Sequence, residues 1–280
     1  MKTYHFLLLL SAPVIFTHCK KNESAPLQPG YSLVWAEEFD KNGMPDEASW
    51  NFENGFVRNE ELQWYQKENA SVSNGILTIE VRKEDRPTPY YDPNSTYWQE
   101  RRQKIEYSSA SMHTKGKKNW IYGRFEMKAK IPVANGLWPT WWTMGENKDW
   151  PAGGEIDIME YFKGQLITNL AFLSAEGKAE FVPRLFNVDS LGGNAWASQF
   201  HVWRMDWTKE SIEFFLDDKP LNKVLLDTLV NKDGSAFNPF RQPHFMVLTM
   251  AVGGTNGGDP MGTFFPQKLE VDYIRVYQQK

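Results

Sequence analysis

One cysteine in 280 residues excludes a disulfide framework and any thiolate metal cluster. Positive charge is not in excess: 31 Lys and Arg against 35 Asp and Glu leave a formal net charge of −4. That balance gives no electrostatic case for nucleic acid, which calls for a basic face. No stretch carries sustained 3.6-residue periodicity with caps at both ends, and no repeat recurs at a fixed period. Neither a Gly-x-Ser-x-Gly elbow nor a phosphate loop is present. His113, His201 and His244 are scattered without zinc-site spacing, so structural or surface roles are expected of them. What the chain has is aromatic mass: 12 Trp, 11 Tyr and 18 Phe, or 15% of all residues. Each large ring buries about 150–250 Å², and each indole N–H wants a partner. With 41% hydrophobic and 24% charged residues, the composition is that of a globular protein rather than a disordered one.

The N-terminus reads as an address. Lys2 precedes the apolar run Phe6–Phe16, which is shorter than the roughly 20 residues a membrane span requires and fits a signal-peptide core. Cys19 follows directly, in an arrangement that resembles a bacterial lipoprotein signal, with His18 standing where a small residue is usual. The resemblance implies export, cleavage before Cys19 and a lipid on that residue. Residues 1–19 are then the signal, residues 20–29 a polar tether with Pro26 and Pro29, and residues 30–280 one catalytic domain. A periplasmic or cell-surface protein is expected, held to the membrane, an outer membrane above all, only through the lipid.

From Tyr31 onward, period-2 runs bounded by turn residues recur. They include Ile76–Val81, Tyr122–Ile131, Ile156–Met159, Ile212–Leu216, His244–Val252 and Leu269–Tyr277. Asp46–Trp50 reads as one helical turn and Leu221–Val230 is ambiguous. Strands without βαβ alternation predict an all-β sandwich or jelly roll. Glu84–Lys104 is long, irregular and rich in Tyr, which predicts an ordered loop at the edge of a site. The glycine-rich Gly253–Gly258 predicts a loop beside a cleft.

The chemistry concentrates in Gly153-Gly154-Glu155-Ile156-Asp157-Ile158-Met159-Glu160. Side chains of a strand alternate, so Glu155 and Asp157 share a face while Ile156 and Ile158 pack inward. Glu160 has the wrong parity, and a β-bulge at Ile158-Met159 would restore it. The two glutamate Cα atoms then stand about 13 Å apart at about 3.3 Å per residue, a span two long side chains can close. Carboxyl groups about 5–5.5 Å apart perform retaining glycoside hydrolysis, one as nucleophile and one as acid. Asp157 between them would hold the nucleophile's rotamer, and charge on Glu155 would raise the pKa of Glu160. On parity alone, a solvated acidic strand or a calcium site is an equal reading.

The preceding segment decides between them. In Gly136–Gly145, Trp138, Thr140 and Trp142 share one face, with Leu137 and Trp141 on the other, and Trp150 follows. Core packing accounts for one face of indoles and not readily for both. Flat sugar faces packing on indoles beside hydrogen-bonding groups make a ligand cleft of mixed lining.

Glu155–Glu160 resembles the signature of glycoside hydrolase family 16, in the bulged branch that includes laminarinases. Trp35–Asp40, Asn59–Tyr65, Tyr122–Glu126, Phe200–Trp207, Ala251–Gly254 and Val271–Tyr277 resemble further segments of the family, in order along the chain. The resemblance implies a β-jelly-roll of two curved antiparallel sheets with an open concave cleft. It implies endo-acting, retaining cleavage of a β-linked polysaccharide with Glu155 as nucleophile, Asp157 as its partner and Glu160 as acid/base. Trp138, Trp142, Trp150 and Asn59 match glycone-side positions. Family members often carry a structural calcium, and Glu38 and Asp272 stand where carboxylate ligands would be; catalysis itself requires no cofactor. Where laminarinases commonly carry histidine after the acid strand, this chain has Asn169–Leu173.

The expected substrate is a β-1,3-glucan, with galactose-containing β-glycans or O-glycans as the alternative within the family. A non-catalytic glycan-binding lipoprotein is the reading from another class; it gives no reason for the carboxylate spacing. A transglycosylase shares every catalytic residue with a hydrolase. The polysaccharide is the expected partner of a monomer.

Overall fold

The structure is a computed structural model that describes residues 26–27 and 29–280; Cys19, the signal peptide and most of the tether lie outside the described residues. Period-2 patterning becomes two sheets stacked on one core. The rear sheet has ten strands, running in order Lys219–Leu225, Ser211–Leu216, His201–Trp207, Gly123–Lys130, Gln267–Gln279 and Ile76–Pro87, then the short Lys104–Ser109 and Gln63–Tyr65. Tyr31–Glu37 pairs with Gln267–Gln279, placing Tyr31 opposite Gln279, so both ends of the domain belong to this sheet.

The front sheet runs Ala179–Phe181, Gln165–Leu173, Glu155–Phe162, Leu137–Gly145, His244–Val252, Ser111–His113 and Asn51–Phe52; Arg184–Asn187 also pairs with Gln165–Leu173. Pairing is antiparallel throughout except between Gln63–Tyr65 and Lys104–Ser109. Between the sheets lies one core. The rear contributes Phe125, Met127, Trp203, Met205, Ile274 and Val276, the front Trp141, Ile156, Leu170, Phe172, Met246 and Leu248. Among the described residues, helix is confined to short pieces such as Gly193–Ala197 and Gly254–Gly257. The expected all-β sandwich is the observed fold.

Local readings divide. His244–Val252 has the predicted bounds, and Ile76–Val81 extends to Pro87. Asp46–Trp50 is a single turn closed by the Ser49 and Trp50 amides on the Asp46 carbonyl. Residues 221–225 finish the strand Lys219–Leu225, which settles half of the ambiguous run as strand. His244 is fully buried, hydrogen-bonded to Thr143 Oγ1 at 3.0 Å and the Pro239 carbonyl at 2.9 Å, and burial pushes its pKa down to about 4. It is a satisfied core histidine, as its isolation in the sequence suggests.

The stretch at residues 84–104 is ordered, but it does not wall the site. Its first part is strand, and Tyr90 and Trp98 then turn onto Trp64 and Phe56 at ring distances of 5.5 and 6.1 Å. Arg102 stacks over Phe56 and Trp98 and donates to the Glu60 carbonyl at 2.7 Å. Trp98 joins a satellite core of Phe56, Trp64 and Ile105 behind the Asn59–Glu60 turn, and none of the stretch's aromatics lines the cleft.

Candidate active site

Glycine sets the entry to the acid strand. Gly154 has φ +80°, and a Cβ there would lie 2.7 Å from Pro239 Cβ, so only glycine carries the chain into Glu155 at this angle. Along the strand, Asp157 faces Trp142 on one neighbour and Asn169 on the other, while Glu160 faces Thr140 and Ile167. Three steps on the acid strand thus match two on each neighbour. The extra residue falls at Ile158-Met159, and both side chains go into the core, 2% and 0% exposed. The bulge read from parity is present. It turns Glu160 onto the face of Glu155 and Asp157, and all three line one cleft of about 750 Å³.

Hydrogen bonds give each acid a different setting. Trp138 Nε1 donates to Glu160 Oε1 at 2.7 Å. An indole only donates, so it occupies one oxygen as acceptor and leaves the other to carry a proton. Asn169 Nδ2 donates to Asp157 Oδ2 at 2.9 Å, and Asp157 is in turn hydrogen-bonded to Glu155. Trp150 donates its indole N–H to Glu155 from the half-exposed rim. All three carboxyls titrate above the ordinary range, burial being the largest cause in each case, and Asp157 reaches about 7. Repulsion adds to burial: the charge on Asp157 raises Glu160, and Asp157 and Glu160 both raise Glu155. The rise of Glu160 thus comes from burial and then from the charge of Asp157, not from the Glu155 charge invoked from the sequence.

The floor on the other side comes from the alternation of Leu137–Gly145. Trp138, Thr140 and Trp142 face the cleft, whereas Leu137 and Trp141 are wholly buried in the core. Trp142 Nε1 donates to Thr249 Oγ1 at 3.1 Å on His244–Val252. Asn59 lies at the cleft in a left-handed conformation, φ +55°, which asparagine tolerates better than most residues. The glycine-rich segment read as a loop holds the single helical turn Gly254–Gly257, and its Thr255 and Asn256 place it at the cleft as expected.

The arrangement suits one kind of chemistry, with three buried carboxyls in unlike hydrogen-bonded settings on one strand beneath indole faces. The sequence matches the profile of Glycosyl hydrolases family 16 over residues 58–275. The chain belongs to this family. A β-glucanase of Rhodothermus marinus is 36% identical over 267 residues, covering 89% of this chain and 86% of that protein. The laminarinase catalytic domain of Thermotoga maritima superposes with a TM-score of 0.74 at 32% identity, over 89% of this chain and 99% of that one. A structure from work on endo-acting O-glycanases, with which members of the human gut microbiota initiate mucin breakdown, superposes at 0.81 and 31% identity, over 91% and 93%. The protein is accordingly a glycoside hydrolase of family 16, and its substrate is a polysaccharide.

Two carboxylates expected at a family 16 calcium are otherwise engaged. Glu38 takes two hydrogen bonds from Arg275, at 2.6 and 3.0 Å, and Asp272 pairs with Lys128 at 2.9 Å. Calcium needs six to eight convergent oxygens. No cluster of three or more His, Cys, Asp or Glu that could hold a metal occurs among the described residues. Each of the two carboxylates is thus paired with a basic residue of a neighbouring strand.

Other cleft residues of this hydrolase escaped the sequence reading. Arg58 stands 5.5 Å over the Trp142 ring and is paired with Glu53. Glu61 is buried and receives Gln63 Nε2 at 2.7 Å and Tyr65 Oη at 2.8 Å. Phe181 and Leu185 line the far end from the edge of the front sheet. For Arg58 and Glu61, the signal lay in an ionic pattern beside Asn59 that resembles any solvated turn.

Proposed function

We propose that this protein is a retaining endo-β-glycosidase that cleaves β-1,3-glucan by double displacement. The observation that carries this reading is the bulge, which brings three buried carboxyls of unlike surroundings onto one cleft face. Glu155 attacks the anomeric carbon as the glycosidic C–O bond breaks. Glu160 delivers its proton to the departing oxygen. Asp157, hydrogen-bonded to Glu155, holds the nucleophile aimed as it attacks. In the second step Glu160, now a carboxylate, takes a proton from water; the water oxygen bonds to the anomeric carbon and Glu155 leaves. Two inversions restore the β-anomer. Trp138, Trp142 and Asn59 hold the glycone, and Trp150 closes over it.

The β-glucanase and laminarinase relatives support β-1,3-glucan. An O-glycan chain is the second reading, supported by the 0.81 superposition on the O-glycanase structure and by Asn169 beside the acid strand. A panel of β-1,3-glucan, mixed-linkage glucan, β-galactans and mucin-type glycans, with products sized by chromatography, separates the two. On the substrate so chosen, Glu155→Gln and Glu160→Gln each lower turnover by at least 10²–10⁴-fold, the usual worth of such groups, while oligosaccharide binding persists. Proton NMR detects the β-anomer first; an initial α-anomer would exclude the retaining scheme. Near-normal turnover in either variant would sink the assignment.

Export and a lipid on Cys19 complete the reading, on the strength of the apolar run before that residue. Fractionation of cells carrying Cys19→Ser tests it: the variant leaves the membrane fraction if the lipid is the anchor.

A further inference from the structure

Across the acid strand from the indoles, the front sheet ends in an apolar stripe that the chemistry above does not use. Ala171 faces Phe181 and Ile167 faces Leu185 in antiparallel register. Directly opposed residues share a face, and Ile167 and Asn169 line the cleft, so Phe181, Pro183 and Leu185 point the same way at every second position. Phe181 is 52% and Leu185 51% exposed. Sheet edges normally carry charge or short polar strands, because an exposed apolar edge invites aggregation. A contiguous apolar stripe in such a place marks a binding surface. Beside it, Asn169 uses its amide nitrogen on Asp157, while its Oδ1 finds no partner, so one acceptor remains for a donor from a bound molecule.

We propose that Phe181, Pro183 and Leu185, with Ile167 and Asn169, form the subsite for the aglycone half of the substrate, the sugars that leave with the broken bond. The C–H faces of these sugars lie on the stripe, and a hydroxyl donates to Asn169 Oδ1. The assignment rests on the preceding section's placement of the glycone on the indole side. Its consequence is that the enzyme selects its leaving group by apolar contact rather than by charge: an unsubstituted neutral sugar face fits, and a sulfated or carboxylated one does not.

The test compares two probes. A β-1,3-linked glucohexaose has sugars on both sides of the broken bond. The β-glycosyl fluoride of the matching triose loses fluoride, which fills no aglycone space. If the substrate panel selects a galactose-containing chain, both probes are built on that chain. Phe181→Ala and Leu185→Ala each lower kcat/KM on the oligosaccharide at least tenfold more than on the fluoride, chiefly through KM, and Phe181→Trp restores most of the loss. Equal losses on both probes, or no loss on the oligosaccharide, overturn the subsite. So does light scattering that finds a dimer dissociated by Phe181→Ser, since the stripe would then seat a second copy. A wild type that cleaves no chain of the panel removes the functional reading and this subsite together. One that cleaves normally, with no difference between the probes, removes the subsite alone.

Discussion

Asp157 is the residue on which the site's proton balance turns. It is 4% exposed, and its one neutral donor, Asn169, favours the ionised form. Burial pushes the carboxyl up to about 7 even so. Removing that donor removes the opposing influence, so in Asn169→Ala the titration of the Asp157–Glu155 pair moves to higher pH. A hydrogen bond to a charged group is worth about 1.5–3 kcal/mol, or roughly one to two pH units. The acid limb of the kcat/KM profile is expected to shift upward by about that much, and a profile that only drops in height would show that Asn169 does not set the titration of the pair. Asn169 was visible in the sequence only as a departure from a family habit. Its partner is twelve positions away on the neighbouring strand, a pairing that depends on register and not on local pattern.

At the scale of the strand, Leu137–Gly145 shows why alternation was the most legible feature of the chain. Trp141 and Trp142 are adjacent in sequence and opposite in consequence. The first is wholly inside the core, and the second forms cleft floor beside Thr249 and beneath Arg58. Trp141→Ala should cost about 3–5 kcal/mol of stability, as buried aromatics do. Trp142→Ala should raise KM with a smaller loss of stability, both read from denaturant titrations and initial rates. A larger loss for Trp142 would move it from binding to core.

The acid strand was readable for the same reason, since parity and the extra residue at Ile158-Met159 are local facts. The partners of Glu38 and Asp272 were less legible. Arg275 and Lys128 reach Glu38 and Asp272 across strands, and cross-strand partners are set by topology, which one strand's sequence does not carry. Residues 84–104 were legible as ordered but not in detail. Tyrosine in a loop signals order but does not say which face the rings take, and here Tyr90 and Trp98 found Trp64 and Phe56.

For the whole molecule, a buried acid cluster is a pH-dependent load on folding. An unfolded aspartate titrates near 4, whereas Asp157 in the fold titrates at about 7. Between those values the folded chain holds a proton that the unfolded chain has released, so stability falls as pH rises through that window. Asp157→Asn keeps the acceptor for Asn169 and removes the charge. It should melt higher than the wild type at pH 7.5 and equal to it below pH 4, at roughly 2–4 °C for each kcal/mol in a chain of this size, while losing activity. Calorimetry at the two pH values decides, and a variant that melts lower at pH 7.5 would show that the carboxylate contributes to folding.

The two-sheet architecture was foreseeable because the strands are long and alternate cleanly. The order in which they pair was not, since neighbours such as Trp142 and Val247 are about a hundred residues apart. That order has a practical consequence. Tyr31 and Gln279 are paired on the sheet behind the cleft, and the Lys280 amide closes onto the Gly30 carbonyl. A bead, a surface or a fused protein joined at Gly30 or at Lys280 therefore grips the enzyme by its back, leaving the mouth turned outward for a long polymer to enter and leave sideways.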